Sequence, residues 1–347
     1  MTAPMIRTEG LTKTFTGRKQ TVEAVRGLDL EVQAGELVAF LGPNGAGKST
    51  TLRMLTTLLT PTSGTALVTG HDVVKEQAKV RQRIGFVGQG NGGGLDQRGI
   101  DELVMQGRIF GMSKQAAKAR ADELIASLDL SAVADRKVMQ MSGGQRRRLD
   151  IAMGLIQAPP LLFLDEPSTG LDPQNRANLQ EHVLALRAQH DTTIVLTTHY
   201  LEEADSLAER VVVIDHGVVV ADDTPARLKS EHAGDRITLS FTDAGLAQQA
   251  AVRAKELVES AETTQDGTVL TVRLNDGTRV LPRLIATLDA HDLAPDTAEV
   301  ARPTLDDVFL NLTGRSMRDT GDDQRPGGGG GGGRAPAAIG GGGGGRP

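Results

Sequence analysis

The sequence of 347 residues contains no cysteine and no tryptophan, and only 2% of its residues are aromatic. Without cysteine the chain can form neither disulfides nor thiolate chemistry. No apolar run approaches the roughly 20 residues needed to cross a bilayer, and the longest runs have the length of a strand. Residues Met1 to Gly10 lack the charged segment and apolar core of a secretory signal. We therefore expect a soluble intracellular protein.

The chain also lacks an excess of basic residues. It has 38 Lys and Arg against 44 Asp and Glu, for a formal net charge of −6. A dedicated nucleic-acid binder normally relies on clustered Lys and Arg that contact phosphates. We therefore expect no nucleic-acid partner.

Glycine is abundant but unevenly placed, since 14 of the 42 glycines lie within the last 27 residues. The same stretch holds one large apolar residue, Ile339, so it cannot bury enough surface to offset its chain entropy. We predict a disordered, glycine-rich tail at 317–347. The length of the remaining chain favours two domains, at roughly 150 residues per domain.

Short apolar runs rich in β-branched residues alternate with helix-length segments in the first two thirds of the chain. This alternation predicts a parallel α/β sheet covered on both faces. The runs lie at 37–41, 84–87, 161–164, 194–197 and 211–214. Extended segments at 6–15 and 22–32 predict a small antiparallel layer, and a mostly helical pattern predicts an insertion at about 90–158. We assign 1–232 to this first domain.

A second pattern begins near residue 235. It reads as strand at 237–241, helix at 245–260, strand at 268–274 and helix at 280–293. This order predicts a small α+β domain of ferredoxin-like kind. We assign 233–316 to it.

One glycine-rich segment follows the first predicted strand of the sheet and opens a helical run. It reads Gly42, Pro43, Asn44, Gly45, Ala46, Gly47, Lys48, Ser49. This is the phosphate-binding loop pattern in its required strand–loop–helix setting. Backbone N–H groups of such a loop point at phosphate oxygens, and the helix presents its positive end to them. We predict that Lys48 reaches the β and γ phosphates and that Ser49 coordinates Mg²⁺.

Two acids, Asp165 and Glu166, end the apolar run at 161–164. Such a segment alone would be read as a buried strand with a charged exit. In a phosphate-binding-loop protein, a strand that ends in Asp helps to hold Mg²⁺, which gives Asp165 a role beside Ser49. Glu166 would then face the γ-phosphate and polarise the attacking water.

Two more polar residues follow predicted strands, namely Gln89 after 84–87 and His199 after 194–197. Each alone would be a solvated strand end. Ligands of open α/β sheets bind at the carboxyl ends of the strands, and these residues end at the same edge. We therefore predict that both face the nucleotide.

Ser142, Gly143, Gly144 and Gln145 precede a basic helical run. One interpretation is a helix N-terminus with a serine cap. The other is a second anion site, since exposed N–H groups at a helix start suit a γ-phosphate. Because the segment lies in the helical insertion, it would serve the phosphate loop of another subunit.

Taken together, these motifs over residues 6–230 resemble the ATP-binding cassette (ABC) family. The resemblance implies a P-loop NTPase fold with a RecA-like core, in which 42–49 is Walker A, Asp165 ends Walker B and Glu166 is the catalytic glutamate. It further identifies Gln89 with the Q-loop and Mg²⁺ coordination, 141–145 with the ABC signature, 168–172 with the D-loop and His199 with the H-loop. Thr50 and Asp172 belong to these motifs. Phe15 matches the aromatic residue that stacks on adenine, although it could equally be a core residue.

The resemblance also implies a head-to-tail dimer that sandwiches Mg·ATP between the P-loop of one subunit and Ser142 of the other. Hydrolysis then opens the sandwich, which moves an attached membrane domain. In the absence of a spanning helix, that domain would be a separate permease chain, with this chain peripheral on the cytoplasmic side of the membrane. The dimer is implied to be a homodimer.

The closing segment, 304–314, resembles that of daunorubicin-resistance-type drug-export ATPase subunits. Its apolar residues at 305, 308, 309 and 312 form a helix stripe, which alone indicates only packing. The segments 105–108 and 201–205 are similar to the same subfamily, which implies efflux of a hydrophobic drug or antibiotic. Two positions depart from the family: Met141 in the signature, and the glycine-rich stretch 90–94 where relatives dock their permease, which leaves the partner open.

Two other functions compete with an export ATPase. A non-transport ABC ATPase would act on the ribosome or DNA, but such proteins usually carry two cassettes or long coiled-coil arms. A regulatory protein that only senses ATP would need neither Glu166 nor His199.

Overall fold

The structure is a computed structural model, and it describes residues 3–17, 20–90, 92–258 and 261–317. The predicted tail lies outside these residues apart from Met317. Within the described ranges the strands form three sheets. None of the described helices has both the length and the apolar content to cross a membrane.

The first domain contains ten strands and eight helices within the described residues. Its strands are β1 (Ile6–Thr16), β2 (Thr21–Val32), β3 (Leu37–Leu41), β4 (Ser63–Val68), β5 (His71–Asp72), β6 (Ile84–Val87), β7 (Leu161–Asp165), β8 (Thr193–Thr198), β9 (Arg210–Asp215) and β10 (Val218–Asp223). Its helices are α1 (Lys48–Leu55), α2 (Gln77–Arg81), α3 (Gly99–Ile109), α4 (Lys114–Ser127), α5 (Gly143–Leu155), α6 (Pro173–His190), α7 (Leu201–Leu207) and α8 (Pro225–His232).

The central sheet has six strands in the order β10-β9-β3-β8-β7-β6. Strands β9, β3, β8, β7 and β6 run parallel, and β10 pairs antiparallel with β9. Every residue of β3, β7 and β8 is buried, as expected for strands that pack on both faces. All five apolar runs therefore form strands of this sheet, which confirms the predicted α/β class.

A four-stranded antiparallel layer, in the order β2-β1-β4-β5, packs on one face of this sheet. Ile6 and Val25 of the layer share a hydrophobic core with Phe40 and Phe163 of the central sheet. The other face carries helices α3 to α5, and Leu124 and Leu149 pack there with Leu162. The structure thus contains both the antiparallel layer and the helical insertion that the sequence predicts.

The C-terminal part adds four strands and three helices, of which the first six elements alternate as β, α, β, β, α, β. They are β11 (Asp235–Ser240), α9 (Ala244–Leu257), β12 (Glu262–Asp266), β13 (Val269–Leu274), α10 (Gly277–Asp289), β14 (Thr297–Ala301) and the closing helix α11 (Leu305–Thr313). The sheet order β12-β13-β11-β14, antiparallel throughout, is that of a ferredoxin-like domain. The sequence predicted the two central strands and both helices, but not the edge strands β12 and β14.

Helix α11 leaves the C-terminal sheet and packs on the first domain. Leu305, Val308 and Phe309 are buried in the same core as helices α7 and α8. Beyond the helix, Arg315 Nη2 donates a hydrogen bond to Asp215 Oδ1 at 2.7 Å. The apolar stripe of the closing segment therefore forms the predicted helix, and its packing partner is the first domain.

Candidate functional site

Apart from Phe15 on β1, the predicted site residues lie on segments that follow four adjacent strands of the central sheet. The central order β3-β8-β7-β6 places the loop after β3 next to the ends of β8, β7 and β6. Because these strands are parallel, all four carboxyl ends lie at one edge of the sheet. The sheet therefore brings together residues that are far apart in the sequence.

The loop between β3 and α1 requires glycine at two positions. Gly47 has φ of +106°, and a Cβ there would overlap the carbonyl oxygen of Ala24. At Gly42 a Cβ would overlap the carbonyl oxygen of Ile214. Gly47 is also the N-cap of α1 and supplies no capping side chain. No side chain therefore caps the first N–H groups of α1.

Backbone hydrogen bonds hold the base of the loop in place. Pro43 O accepts a hydrogen bond from Ala46 N at 3.2 Å, and Ala46 O accepts one from Gly217 N at 2.9 Å. Asn44 and Gly45 are exposed, and Thr50 is half-buried in the first turn of α1. The loop is thus anchored at its base and exposed at its tip.

Lys48 is the first residue of α1, and its side chain is only 4% exposed. Its Nζ donates hydrogen bonds to Gly42 O at 2.6 Å and Pro43 O at 3.0 Å. It also lies 4.0 Å from Glu166 Oε1. Burial lowers the pKa of Lys48, an effect that the nearby carboxylates of Glu166 and Asp165 oppose. The ammonium group therefore lies under the loop, within reach of its acidic neighbours.

Ser49, Asp165 and Gln89 form one hydrogen-bonded chain. Ser49 Oγ donates to Asp165 Oδ1 at 2.8 Å and accepts from Gln89 Nε2 at 3.2 Å. Thr197 at the end of β8 donates a further hydrogen bond to Asp165 Oδ1 at 2.7 Å. A hydroxyl, a carboxylate and a side-chain amide, each of which carries an oxygen atom, lie here side by side.

Glu166 follows β7 with a left-handed backbone, at φ of +47°, which is uncommon for a residue other than glycine. Its N–H donates to Thr197 Oγ1 at 2.9 Å, which fixes the turn. His199 Nδ1 lies 3.5 Å from Glu166 Oε2, and Thr169 Oγ1 donates to the same oxygen at 3.1 Å. The neighbouring His199 ring lowers the pKa of Glu166 more than any other group does, so Glu166 is a carboxylate at neutral pH.

Ser142 is the N-cap of α5, and its hydrogen bonds form a capping box. Its Oγ accepts from Gln145 N at 3.2 Å, and its own N–H donates to Gln145 Oε1 at 2.9 Å. Ser142 and Gly143 are exposed, while Gly144 packs so closely on Asn175 that a Cβ would overlap that side chain. The cap interpretation is therefore confirmed within the chain, and Ser142 and Gly143 leave the start of the helix exposed.

Asp172 and Phe15 lie at the margins of this edge. Asp172 is the N-cap of α6 and accepts a hydrogen bond from Asn175 N at 2.9 Å, which lowers the pKa of its carboxyl. The Phe15 ring is 42% exposed on β1, with Lys13 Nζ 5.3 Å from its centroid. Phe15 is thus not a core residue, and its contact with adenine stays a prediction.

Two residues that the sequence did not single out belong to the same network. Thr197 binds both Asp165 and the backbone of Glu166, and its signal was its place two residues before His199. Arg147 lies in α5 and donates hydrogen bonds to the backbone on both sides of Glu166. It was interpreted only as part of a basic run, because sequence alone does not reveal which of three consecutive arginines contacts the backbone beside Glu166.

Family models match both parts of the chain. The model described as ABC transporter matches residues 25–169. A model described as the C-terminal domain of ATP-binding proteins of the DrrA1-3-like kind matches residues 224–313. A third, of an AAA domain, matches residues 134–205, within the first domain.

Similar proteins match along almost the whole length. The daunorubicin/doxorubicin resistance ATP-binding protein DrrA of Streptomyces peucetius is 44% identical over 315 residues, which cover 90% of this chain and 94% of that protein. The doxorubicin resistance ATP-binding protein DrrA of Mycobacterium tuberculosis is 38% identical over 88% of this chain and 92% of that protein. The Nod factor export ATP-binding protein I of Burkholderia lata is 40% identical over 85% of this chain and 93% of that protein.

A solved structure agrees with the fold of the first domain. It is a dimeric, post-hydrolysis state of an ATP-binding cassette bound to ADP and Pi, with a TM-score of 0.58 and 27% identity. It covers 63% of this chain and 98% of its own. The family models, the relatives and the site geometry agree, and the chain belongs to the ABC transporter family as an ATP-binding, ATP-hydrolysing subunit with a DrrA-like C-terminal domain.

Proposed function

We propose that this chain powers the efflux of a hydrophobic drug or antibiotic through a separate membrane permease. The observation that carries its ATPase role is the hydrogen-bonded chain from Gln89 through Ser49 to Asp165, beside the pair of Lys48 and Glu166. The drug-export role rests on the daunorubicin- and doxorubicin-resistance proteins that are 38 to 44% identical to the chain. We place it on the cytoplasmic side of the membrane.

Phosphate binding is assigned to the loop 42–49 and the start of α1. The N–H groups of the loop and of the first helical turn would donate to phosphate oxygens. Lys48 Nζ, held beside the loop by Gly42 O and Pro43 O, would pair with the β and γ phosphates. The exposed Phe15 would stack on adenine, with Lys13 beside it.

The donor set at Ser49, Asp165 and Gln89 fits Mg²⁺. These side chains offer hydroxyl, carboxylate and amide oxygens, the hard ligands that Mg²⁺ prefers. Mg²⁺ in phosphate sites is held by one or two carboxylates together with substrate phosphates, so a dedicated protein cage is not needed. When bound, Mg²⁺ would neutralise charge on the β and γ phosphate oxygens.

Glu166 is assigned as the base that orients and polarises the attacking water. Its lowered pKa keeps it ionised at neutral pH, so it accepts a hydrogen bond from water without first losing a proton. Such a contribution is typically worth about 10²- to 10⁴-fold in rate. His199, 3.5 Å away, would hold the carboxylate in place and sense the γ-phosphate.

The exposed start of α5 supports a head-to-tail homodimer. Ser142, Gly143, Gly144 and Gln145 would contact the γ-phosphate bound to the partner's loop, with Asp172 at the same interface. The dimeric cassette with ADP and Pi is a structural neighbour that assembles in pairs. Closure on ATP and opening after hydrolysis would supply the mechanical step.

A groove beside the Q-loop is the proposed docking site for a cytoplasmic helix of the permease. Its volume is about 350 Å³, and Phe86, Phe110 and Met153 line it. Phe110 and Leu58 at its rim are 41% and 59% exposed. Apolar side chains around a groove that adjoins the ATP site suit an amphipathic helix, so movement of the site would reach the permease.

The proposal is tested by co-expression with a membrane subunit encoded in a neighbouring reading frame. We expect the two chains to co-purify from detergent-solubilised membranes and to expel daunorubicin from cells in an ATP-dependent manner. The complex with Glu166→Gln should co-purify equally well but expel no drug. ATPase activity stimulated by ribosomes or DNA, without a membrane partner, would instead favour the non-transport alternative. ATP binding without hydrolysis would favour the sensor.

A further inference from the structure

Arg147 lies in the second turn of α5, and its side chain is 7% exposed. Its guanidinium donates from all three nitrogens to backbone carbonyls. Nε donates to Pro167 O at 2.8 Å, Nη1 to Gly88 O at 2.6 Å and Nη2 to Asp165 O at 3.1 Å. One side chain therefore connects α5 to two loops of the site.

The three carbonyls adjoin the residues assigned to hydrolysis. Gly88 directly precedes Gln89, and Asp165 and Pro167 directly flank Glu166. The parallel pairing of β6 with β7 ends at Val87 and Leu164, so these carbonyls lie just beyond the last backbone pair. Arg147 thus holds the two loops together where the sheet no longer does.

Burial of this cation is unfavourable in itself. Desolvation lowers the pKa of Arg147, an effect that the carboxylates of Asp150, Asp165 and Glu203 oppose. Its three hydrogen bonds nevertheless go to neutral backbone carbonyls rather than to a carboxylate. Apolar side chains fill a buried space at least as well as a buried charge does. The rigid, planar fork of arginine can hold several acceptors in one fixed geometry, which an apolar side chain or a lysine does not do.

The helix that carries Arg147 begins at Ser142. Under the proposed function, on which this inference rests, Ser142 contacts nucleotide on the partner's loop, whereas Gln89 and Glu166 serve the nucleotide on the chain's own loop. We infer that Arg147 is a positioning residue that couples the two ATP sites of the dimer. Engagement of the α5 N-terminus by one ATP shifts α5, and Arg147 transmits that shift to the residues that hydrolyse the other.

The adjacent Arg148 supplies a matched control. It is also buried on α5, and its Nη1 donates to the carbonyls of Leu128 at 3.0 Å and Asp129 at 3.3 Å in the helical insertion. The same nitrogen lies 3.4 Å from Asp129 Oδ2 and 3.3 Å from His182 Nε2 of α6. Substitution by lysine keeps the charge at either position. At Arg147 it removes a fork of three donating nitrogens, whereas the contacts of Arg148 come from Nη1 alone. Of the two arginines, only Arg147 contacts the loops that carry Gln89 and Glu166.

The experiment measures ATPase kcat, KM for ATP and the Hill coefficient of the full chain with Mg²⁺, for Arg147→Lys, Arg147→Gln and Arg148→Lys. Misplacement of about 1 Å at a site costs up to about 100-fold in rate, so we expect Arg147→Lys to lower kcat by roughly ten- to a hundredfold. KM should change by less than about twofold, and the Hill coefficient should fall towards one, the value for independent sites. Arg148→Lys should leave all three near the parent values.

Arg147→Gln keeps two donors on one nitrogen but loses the charge and shortens the side chain, so it should lower kcat and the Hill coefficient at least as much as Arg147→Lys. The inference is overturned if Arg147→Lys keeps the parent Hill coefficient, if the parent itself hydrolyses ATP without cooperativity, or if Arg148→Lys loses cooperativity equally. Should Arg147→Lys fail to fold, the Hill coefficient of Arg147→Gln decides in the same way. A parent that binds but does not hydrolyse ATP would refute the proposed function instead.

Discussion

The central sheet and the C-terminal sheet place polar residues by different rules. In β7 and β8 every position is buried, so polar side chains gather where the strands end, at Asp165, Glu166 and His199. In β13 buried positions alternate with half-buried ones along the whole strand. One face of that sheet packs on α9 and α10, and the other carries Thr238 and Thr271.

Because of this difference, a polar residue has a different meaning in each of the two sheets. A parallel sheet covered on both faces leaves its strand ends as the place where polar groups meet without a burial cost on either face. A one-sided antiparallel sheet distributes polar residues along its open face, where water satisfies them. A polar residue therefore indicates function at the end of β7 and only exposure in the middle of β13.

The largest effect is expected at the end of β7. Glu166→Gln removes the carboxylate but keeps the size of the side chain, so ATP turnover should fall by about 10²- to 10⁴-fold while ATP still binds. The variant should accumulate as an ATP-bound dimer in size-exclusion chromatography. Glu202→Gln, at an exposed glutamate of α7, is the control and should hydrolyse ATP normally. Parent-like turnover of Glu166→Gln would refute its assignment as the base.

A smaller effect is expected when the ammonium group of Lys48 is removed, and it concerns the affinity for ATP. Lys48→Ala removes charge-assisted hydrogen bonds, each worth roughly 1.5 to 3 kcal/mol, so the Kd for Mg·ATP should rise by about ten- to a hundredfold. Equilibrium binding of a fluorescent ATP analogue measures this change. Arg53→Ala, an exposed cation on the same helix, should leave the Kd unchanged. An unaltered affinity in Lys48→Ala would count against the loop assignment.

The smallest effect on ATP turnover is expected from the C-terminal sheet. Leu239 is fully buried in its core, so Leu239→Ala should lower the free energy of unfolding by about 2 to 5 kcal/mol. Per folded molecule, kcat and KM for ATP should match the parent, because the core of this sheet is separate from that of the ATP site. Thr238→Ala on the open face is the control for stability. If Leu239→Ala also lowered the affinity for ATP, the C-terminal sheet would not be independent of the ATP site.

The sequence predicted the strands of the central sheet more completely than those of the C-terminal sheet. The five parallel strands were predicted because each is a continuous apolar run between helices. Strands β12 and β14, the two edges of their sheet, were missed, and β12 reads Glu262 to Asp266 with no apolar residue. Strand β14 (Thr297–Ala301) contains a single large apolar residue, Val300, so it too lacks the apolar run by which the strands of the central sheet, the edge strand β6 included, were predicted.

Within the site, the sequence predicted residue types but not all contacts. Lys48, Ser49, Asp165, Glu166, Gln89 and His199 were found because each follows a strand or lies in a motif. Thr197 and Arg147 were missed, although both bind the backbone next to Glu166. Their roles depend on which carbonyl or N–H group lies opposite, and no local pattern encodes that.

The sequence by itself determined the local structures. The strand–loop–helix around Lys48, the capping box at Ser142 and the capping box at Thr304 depend on residues a few positions apart. Such contacts form within one turn and need no distant partner.

Only the tertiary structure decided how those pieces meet. Ser49 and Asp165 are 116 positions apart, and Arg147 is 59 positions from Gly88. They are brought together because β3 pairs with β8 and β7 pairs with β6, an order that differs from the order of the chain. Strand order is fixed by packing of the whole sheet against its two covering layers, which is why the same packing also placed α11 on the first domain.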